Sequence, residues 1–133
     1  MPQLAPQVGI VLVSHSARLA EGAAELAAQV GGGTVTVLAA GGTDDGGLGT
    51  SAAKVSSALR RAETGAGVVV LPDLGSAVLT VRALLPDLPD AHVTLVDAPF
   101  VEGAVAAAVT AAAGADLTAV AKAAEEAWHA RKL

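Results

Sequence analysis

Four short runs of β-branched and aliphatic residues divide the chain: VGIVLV (Val8–Val13), TVTVLA (Thr34–Ala39), GVVVLP (Gly67–Pro72) and HVTLVD (His92–Asp97). Their hydrophobicity is nearly continuous rather than alternating, which marks strands covered on both faces and hence a parallel sheet. Helix-like segments fall at Ala17–Val30, Thr50–Glu63, Ser76–Leu85, Val101–Ala113 and Asp116–Arg131. This alternation predicts an α/β fold: an open, mostly parallel sheet of about four strands with helices on both faces.

Punctuation agrees with the segmentation. Ser16, Thr50, Ser76 and Asp116 stand where an N-cap side chain would satisfy orphan helix amides. Gly31–Gly33 and Gly114 stand where helices should end, and Pro86 and Pro89 mark the loop after the third helix. Arg60 and Arg61 fall in the last turn of the second helix, where they favour its dipole. No internal repeat or linker interrupts the pattern, so residues 1–133 are expected to form one domain.

Composition narrows the functions. A net charge of −5, without a basic cluster or an aromatic stacking platform, argues against nucleic-acid binding. The absence of cysteine excludes disulfides and thiolate metal sites. The start MPQLAPQ lacks the features of a signal peptide, and no stretch reaches the roughly 20 apolar residues of a membrane span. The expectation is a cytoplasmic protein that does not bind membranes.

In open α/β sheets, sites form beyond the carboxyl ends of the strands. The four runs deliver Ser14-His15-Ser16, the segment Ala40–Ser51, the segment Pro72–Ser76 and the segment Asp97–Gly103 to that edge. His15 would sit at a helix N-terminus, where backbone amides favour an anionic group such as phosphate. The same position disfavours a cationic ring, which leaves a lone pair for nucleophilic attack. A carboxylate holding one ring N–H would fix the tautomer, and Asp73 is the first candidate. An ordinary turn aspartate in PDLG explains Asp73 equally well when it is taken alone.

The glycine-rich segment Gly41–Gly49 lacks the lysine of a P-loop. GLGTSA (Gly47–Ala52) matches G-x-G-x-x-A, with Asp73 about 20 residues on, but no strand leads directly into it. A loop beside the histidine is the simpler reading, with Gly42 and Thr43 able to approach a phosphoryl group. His92 and His129 are read as structural or solvated. Asp97 and Glu102 line the site or cap the fourth helix, and Trp128 packs in the core or at a subunit interface.

LVSHSARLAEGAAELA resembles the start of the phosphotransfer subunits (subunit M) of phosphoenolpyruvate-dependent dihydroxyacetone kinases. Those subunits are similar to the mannose-family IIA domain of the bacterial sugar phosphotransferase system. The resemblance continues through AGGTDDGGLGTSAAKV, LPDLGSAVLTVRALL and DAPFVEGAVAAAVTAAAGADL, nearly the whole chain. It implies that His15 accepts a phosphoryl group from the histidine phosphocarrier protein. It further implies that His15 passes the group to ADP on the kinase's nucleotide-binding subunit. No tightly bound cofactor and no metal is implied, because the phosphoryl group rides covalently on His15.

By the same resemblance Asp73 supports the histidine, and Ser14, Ser16, Gly42, Thr43, Gly75 and Ser76 lie near the phosphoryl group. A homodimer is implied too. Some relatives continue into fused phosphocarrier and enzyme I-like domains, which are not expected here, so the donor would be a separate protein. Asp44 and Asp45 could recruit a basic partner face.

Two other readings compete with it. A tetrapyrrole metal chelatase opens with a similar strand and His-Gly-Ser-Arg turn, but Ser16 and Ala17 depart from it and no second histidine follows the third run. A nucleotide-binding regulatory module rests on the glycine match alone.

Overall fold

The computed structural model describes residues 5–88 and 92–133. Among them, strands β1 (Gly9–Ser14), β2 (Val37–Gly41), β3 (Val68–Pro72) and β4 (Val93–Leu95) alternate with helices. These helices are α1 (Ala17–Val30), α2 (Ala52–Ala62), α3 (Gly75–Leu84), α4 (Phe100–Ala112) and α5 (Leu117–Glu126). All pairings are parallel, in the order β2-β1-β3-β4, which places β1 and β3 side by side in the interior. The predicted α/β architecture is what the chain adopts.

Alternation along the interior strands divides the core in two. Ile10, Leu12, Val69 and Leu71 point to one face, where α1, α4 and α5 cover them with Ala27, Ala107, Ala124 and similar residues. Val11, Val13, Val68 and Val70 point to the other face, under Val55 and Leu59 of α2 and Val81 of α3. Because so many helix contacts are alanine, the helices lie close to the sheet and a single added carbon matters. A Cβ on Gly103 would stand 2.8 Å from both Ala98 Cβ and Leu71 Cδ2. One on Gly41 would stand 2.5 Å from the Ser16 carbonyl oxygen, so β2 meets the start of α1 only through glycine.

Several boundaries move from their predicted places. β2 starts at Val37, not Thr34, because Gly32 and Gly33 at φ +88 and +80 prolong the turn after α1. The α2 cap is Ser51, which accepts the Lys54 N–H at 3.2 Å, whereas Thr50 bridges to Gly42. α3 starts at Gly75 behind Leu74, so Ser76 is inside its first turn and not its cap. Ser16 and Asp116 do cap α1 and α5, accepting from Leu19 and Ala119. β4 is shorter than its run of sequence, α5 gives way to a 3-10 turn at Ala127–His129, and Pro89 lies outside the described residues.

Trp128 is exposed rather than buried in the core, its indole N–H donating to the Asp97 carbonyl at 2.9 Å. No helix among the described residues is long and apolar enough to cross a membrane.

Candidate functional site

The interior strands β1 and β3 end together, with Val13 in register with Pro72, and each releases one functional side chain at the same edge. His15 follows β1 and Asp73 follows β3. The two strand ends are tied three ways: Asp73 N–H donates to the Val13 carbonyl at 3.0 Å, His15 N–H donates to Asp73 Oδ2 at 3.1 Å, and His15 Nδ1 lies 3.3 Å from Asp73 Oδ1. The imidazole is 28% exposed and the carboxylate 10%, so the pair is rooted in the protein and open on the ring side.

Burial works to raise the Asp73 pKa. Hydrogen bonds from the Ser14 hydroxyl, the His15 backbone and ring, and the Leu74 amide outweigh it and hold the group below its ordinary 3.8. Asp73 is thus a committed carboxylate, an acceptor for Nδ1–H. That contact assigns the proton to Nδ1 and the lone pair to Nε2. Nε2 faces the Ser76 hydroxyl on the first turn of α3. Sequence alone leaves the Asp73 pairing open; the geometry joins the two residues.

The remaining predicted residues divide. Ser76 stands against the ring, Ser16 follows it and turns its hydroxyl to the Leu19 N–H at 3.2 Å as the α1 cap, and Gly75, the first residue of α3, faces open space where a Cβ would be. Ser14 does not face a phosphoryl group. It is fully buried, accepts the Ser16 N–H at 3.0 Å and donates to Asp73 Oδ2 at 2.8 Å, which places it behind the carboxylate.

Gly42 and Thr43 are engaged in hydrogen bonds within the protein. The Gly42 N–H goes to the Ser14 carbonyl at 3.2 Å. Thr43 uses its N–H on the Gly47 carbonyl at 3.0 Å and its hydroxyl on Asp45. The loop they begin instead braces the histidine backbone, with Gly49 N–H donating to the His15 carbonyl at 2.9 Å.

Asp44 and Asp45 serve the same loop. Asp44 accepts the Ser51 hydroxyl, and Asp45, its pKa lowered by the Thr43 hydroxyl and then the Gly47 amide, closes the turn. Glu102 pairs with Lys132 at 2.6 Å on α4. His92 and His129 stand at the start of β4 and in the final 3-10 turn. Among the described residues no group of three His, Cys, Asp or Glu side chains could hold a metal ion.

The exposed side chains Leu19, Leu48, Leu74 and Leu79 all belong to segments that meet at His15. Leu19 is four residues past it, Leu48 adjoins Gly49, Leu74 follows Asp73, and Leu79 is one turn past Ser76. In the sequence each reads as an ordinary apolar residue; that they stand exposed emerges only from the fold.

Fold and site together define a class: parallel α/β domains that offer a carboxylate-braced imidazole at the carboxyl edge of the sheet. The family EIIA-man, described as the PTS system fructose IIA component, matches residues 9–121. The chain belongs to that family, on the branch of the phosphoryl donor subunits of dihydroxyacetone kinases.

The phosphoryl donor subunit DhaM of dihydroxyacetone kinase 2 from Listeria innocua is 39% identical over 106 residues, covering 77% of this chain and 84% of its own length. DhaM of Lactococcus lactis is 34% identical, covering 84% of this chain and 89% of its own length. DhaM of Escherichia coli K12 is 42% identical over 83% of this chain, but that match spans only 25% of its length. The crystal structure of the protein of unknown function EF1359 superposes with a TM-score of 0.79 at 36% identity, covering 90% of this chain and 94% of that one. The matches favour neither the chelatase nor the nucleotide-binding module.

Proposed function

We propose that the chain is the phosphoryl-transfer subunit of a phosphoenolpyruvate-dependent dihydroxyacetone kinase, with His15 carrying the phosphoryl group covalently and no tightly bound cofactor. The observation that carries this reading is the Nδ1 contact to Asp73 Oδ1 at 3.3 Å, which leaves Nε2 of a partly exposed ring as the nucleophile. The donor is the phosphorylated histidine phosphocarrier protein. Its N–P bond breaks as the Nε2 lone pair forms a new one, and the donor imidazole leaves with its electron pair. The His15 ring gains positive charge in that step, which the Asp73 carboxylate offsets.

In the second step a β-phosphate oxygen of ADP, held on the nucleotide-binding kinase subunit, attacks the same phosphorus. The His15 ring recovers its lone pair and ATP forms. Such transfers need in-line positioning and charge stabilisation more than covalent chemistry from the protein. Ser16, the Gly75 and Ser76 amides at the start of α3, and the Ser76 hydroxyl supply the stabilisation. Exposed leucines in the segments next to His15 and Asp73 suit docking by proteins that bury them on contact. A homodimer working in the cytoplasm completes the proposal.

The test is reconstitution with phosphoenolpyruvate, enzyme I and the phosphocarrier protein. An acid-labile, base-stable phosphoryl adduct should form, be lost in His15→Ala, and discharge to ADP only when the nucleotide-binding subunit is present. A chain that stays unlabelled, or labels equally in His15→Ala, overturns the reading.

A further inference from the structure

We infer that Ser14 is a positioning residue for the transfer reaction, its buried hydroxyl fixing the Asp73 carboxylate in the rotation that presents Oδ1 to the imidazole. The inference rests on the function proposed above. Ser14 is the one buried polar side chain among the described residues, at the end of an otherwise apolar strand. A hydroxyl has a single proton. In Ser14 that proton goes to Asp73 Oδ2 at 2.8 Å, while the oxygen accepts the Ser16 N–H at 3.0 Å.

The carboxylate oxygens are chemically equivalent, and rotation about Cβ–Cγ would exchange them. Two donors on Oδ2, the Ser14 hydroxyl and the His15 N–H at 3.1 Å, oppose that rotation and leave Oδ1 for Nδ1. Without the hydroxyl, Oδ2 loses one of the two donors that oppose the rotation. The carboxylate can then turn, and the ring loses its fixed proton position. Ser14 also spans two elements, because the amide it accepts belongs to the α1 cap. The start of α1, the histidine and the β3 loop are therefore held by one hydroxyl.

Ser14→Ala is the direct test, compared in the native and Asp73→Ala backgrounds. If Ser14 works through Asp73, its loss should slow phosphoryl uptake by about tenfold in the native background and by less than about twofold when Asp73 is absent. An equal factor in both backgrounds overturns the inference. A second readout needs no transfer at all: ¹⁵N spectra of the His15 ring. These should show mainly the Nδ1–H tautomer in the native protein and a mixture in Ser14→Ala; an unchanged spectrum also overturns it.

Ser14→Thr, which retains the hydroxyl, should restore the native tautomer, and failure to do so in a folded variant counts against the role. If Ser14→Ala does not fold, Ser14→Cys, a near-isosteric weak donor, takes its place in both measurements with the same outcomes deciding. Because the tautomer is read on the unphosphorylated chain, it judges Ser14 even if the relay itself fails reconstitution.

Discussion

Asp73 holds His15 at two points, one carboxylate oxygen on the backbone amide at 3.1 Å and the other 3.3 Å from ring Nδ1. The backbone contact fixes where the residue sits and the ring contact fixes which nitrogen reacts.

Asp73→Asn should therefore preserve the fold and slow transfer. An amide can still accept the backbone N–H but carries no charge to offset the cationic ring. The expected loss is about 10- to 100-fold, equivalent to about 1.4–2.7 kcal/mol in the barrier. Single-turnover transfer from the phosphorylated carrier checks it; a rate within twofold of native would remove the carboxylate from the mechanism.

Ser76→Ala removes the hydroxyl that faces Nε2 in the unphosphorylated state. Once a phosphoryl group occupies Nε2, that hydroxyl must turn to donate to a phosphoryl oxygen. The variant should slow uptake several-fold while its stability stays within about 0.5 kcal/mol, since Ser76 is exposed and does not cap α3. Parallel stopped-flow transfer and urea unfolding decide; a destabilised variant with native transfer would reverse the assignment.

Leu74→Asp and Leu48→Asp place a charge on exposed leucines next to Asp73 and Gly49. Both variants should fold normally. Each should raise the KM for the phosphorylated carrier by about tenfold with kcat nearly unchanged, the mark of lost docking. Unaltered KM in both would move the docking surface elsewhere.

Glu63 tests the fold's pH response. Burial pushes its pKa up, but the amides of Gly65, Gly67 and His92, aided by the His92 charge, hold it below its ordinary 4.5. Oε1 accepts the Gly65 and Gly67 amides at 2.7 and 3.1 Å and Oε2 accepts the His92 amide at 3.1 Å, tying the end of α2 to the starts of β3 and β4. For Glu63 and Asp73 alike the folded pKa lies below the unfolded one. Their contribution is complete above the unfolded values and is lost as pH falls through the folded ones, because the unfolded chain binds protons first. Urea midpoints should fall from about pH 5 downward. Glu63→Gln should cost about 1 kcal/mol near neutrality, given the solvent screening of a partly exposed group, and flatten that fall. An unchanged acid limb would dismiss the staple.

How much of this the sequence carried depends on the range of the interaction involved. The strands, and Ser16 and Asp116 as caps, follow from side-chain pattern within a few residues, and the chain adopts them. The edge on which His15 and Asp73 emerge follows from parallel topology. The partners of Ser14, Gly42 and Thr43 are not legible in the sequence because serine, glycine and threonine suit a phosphate and a tight loop equally well. Their hydrogen bonds run to Asp73, the Ser14 carbonyl and Asp45, and no local pattern announces which partner wins. Ser76 mimics a cap, yet Leu74 holds that position because the helix begins at Gly75. The Glu63 staple joins residues 29 apart at its farthest contact and has no periodic signature.

The two side chains of the site issue from neighbouring interior strands, while β2 and β4 take the edges. Fraying, which starts at sheet margins, leaves the His15–Asp73 couple undisturbed, and amides of β1 and β3 should be among the slowest to exchange with deuterium. The couple then persists as long as the native state does. Ring and carboxylate therefore need no assembly before a phosphoryl group reaches them.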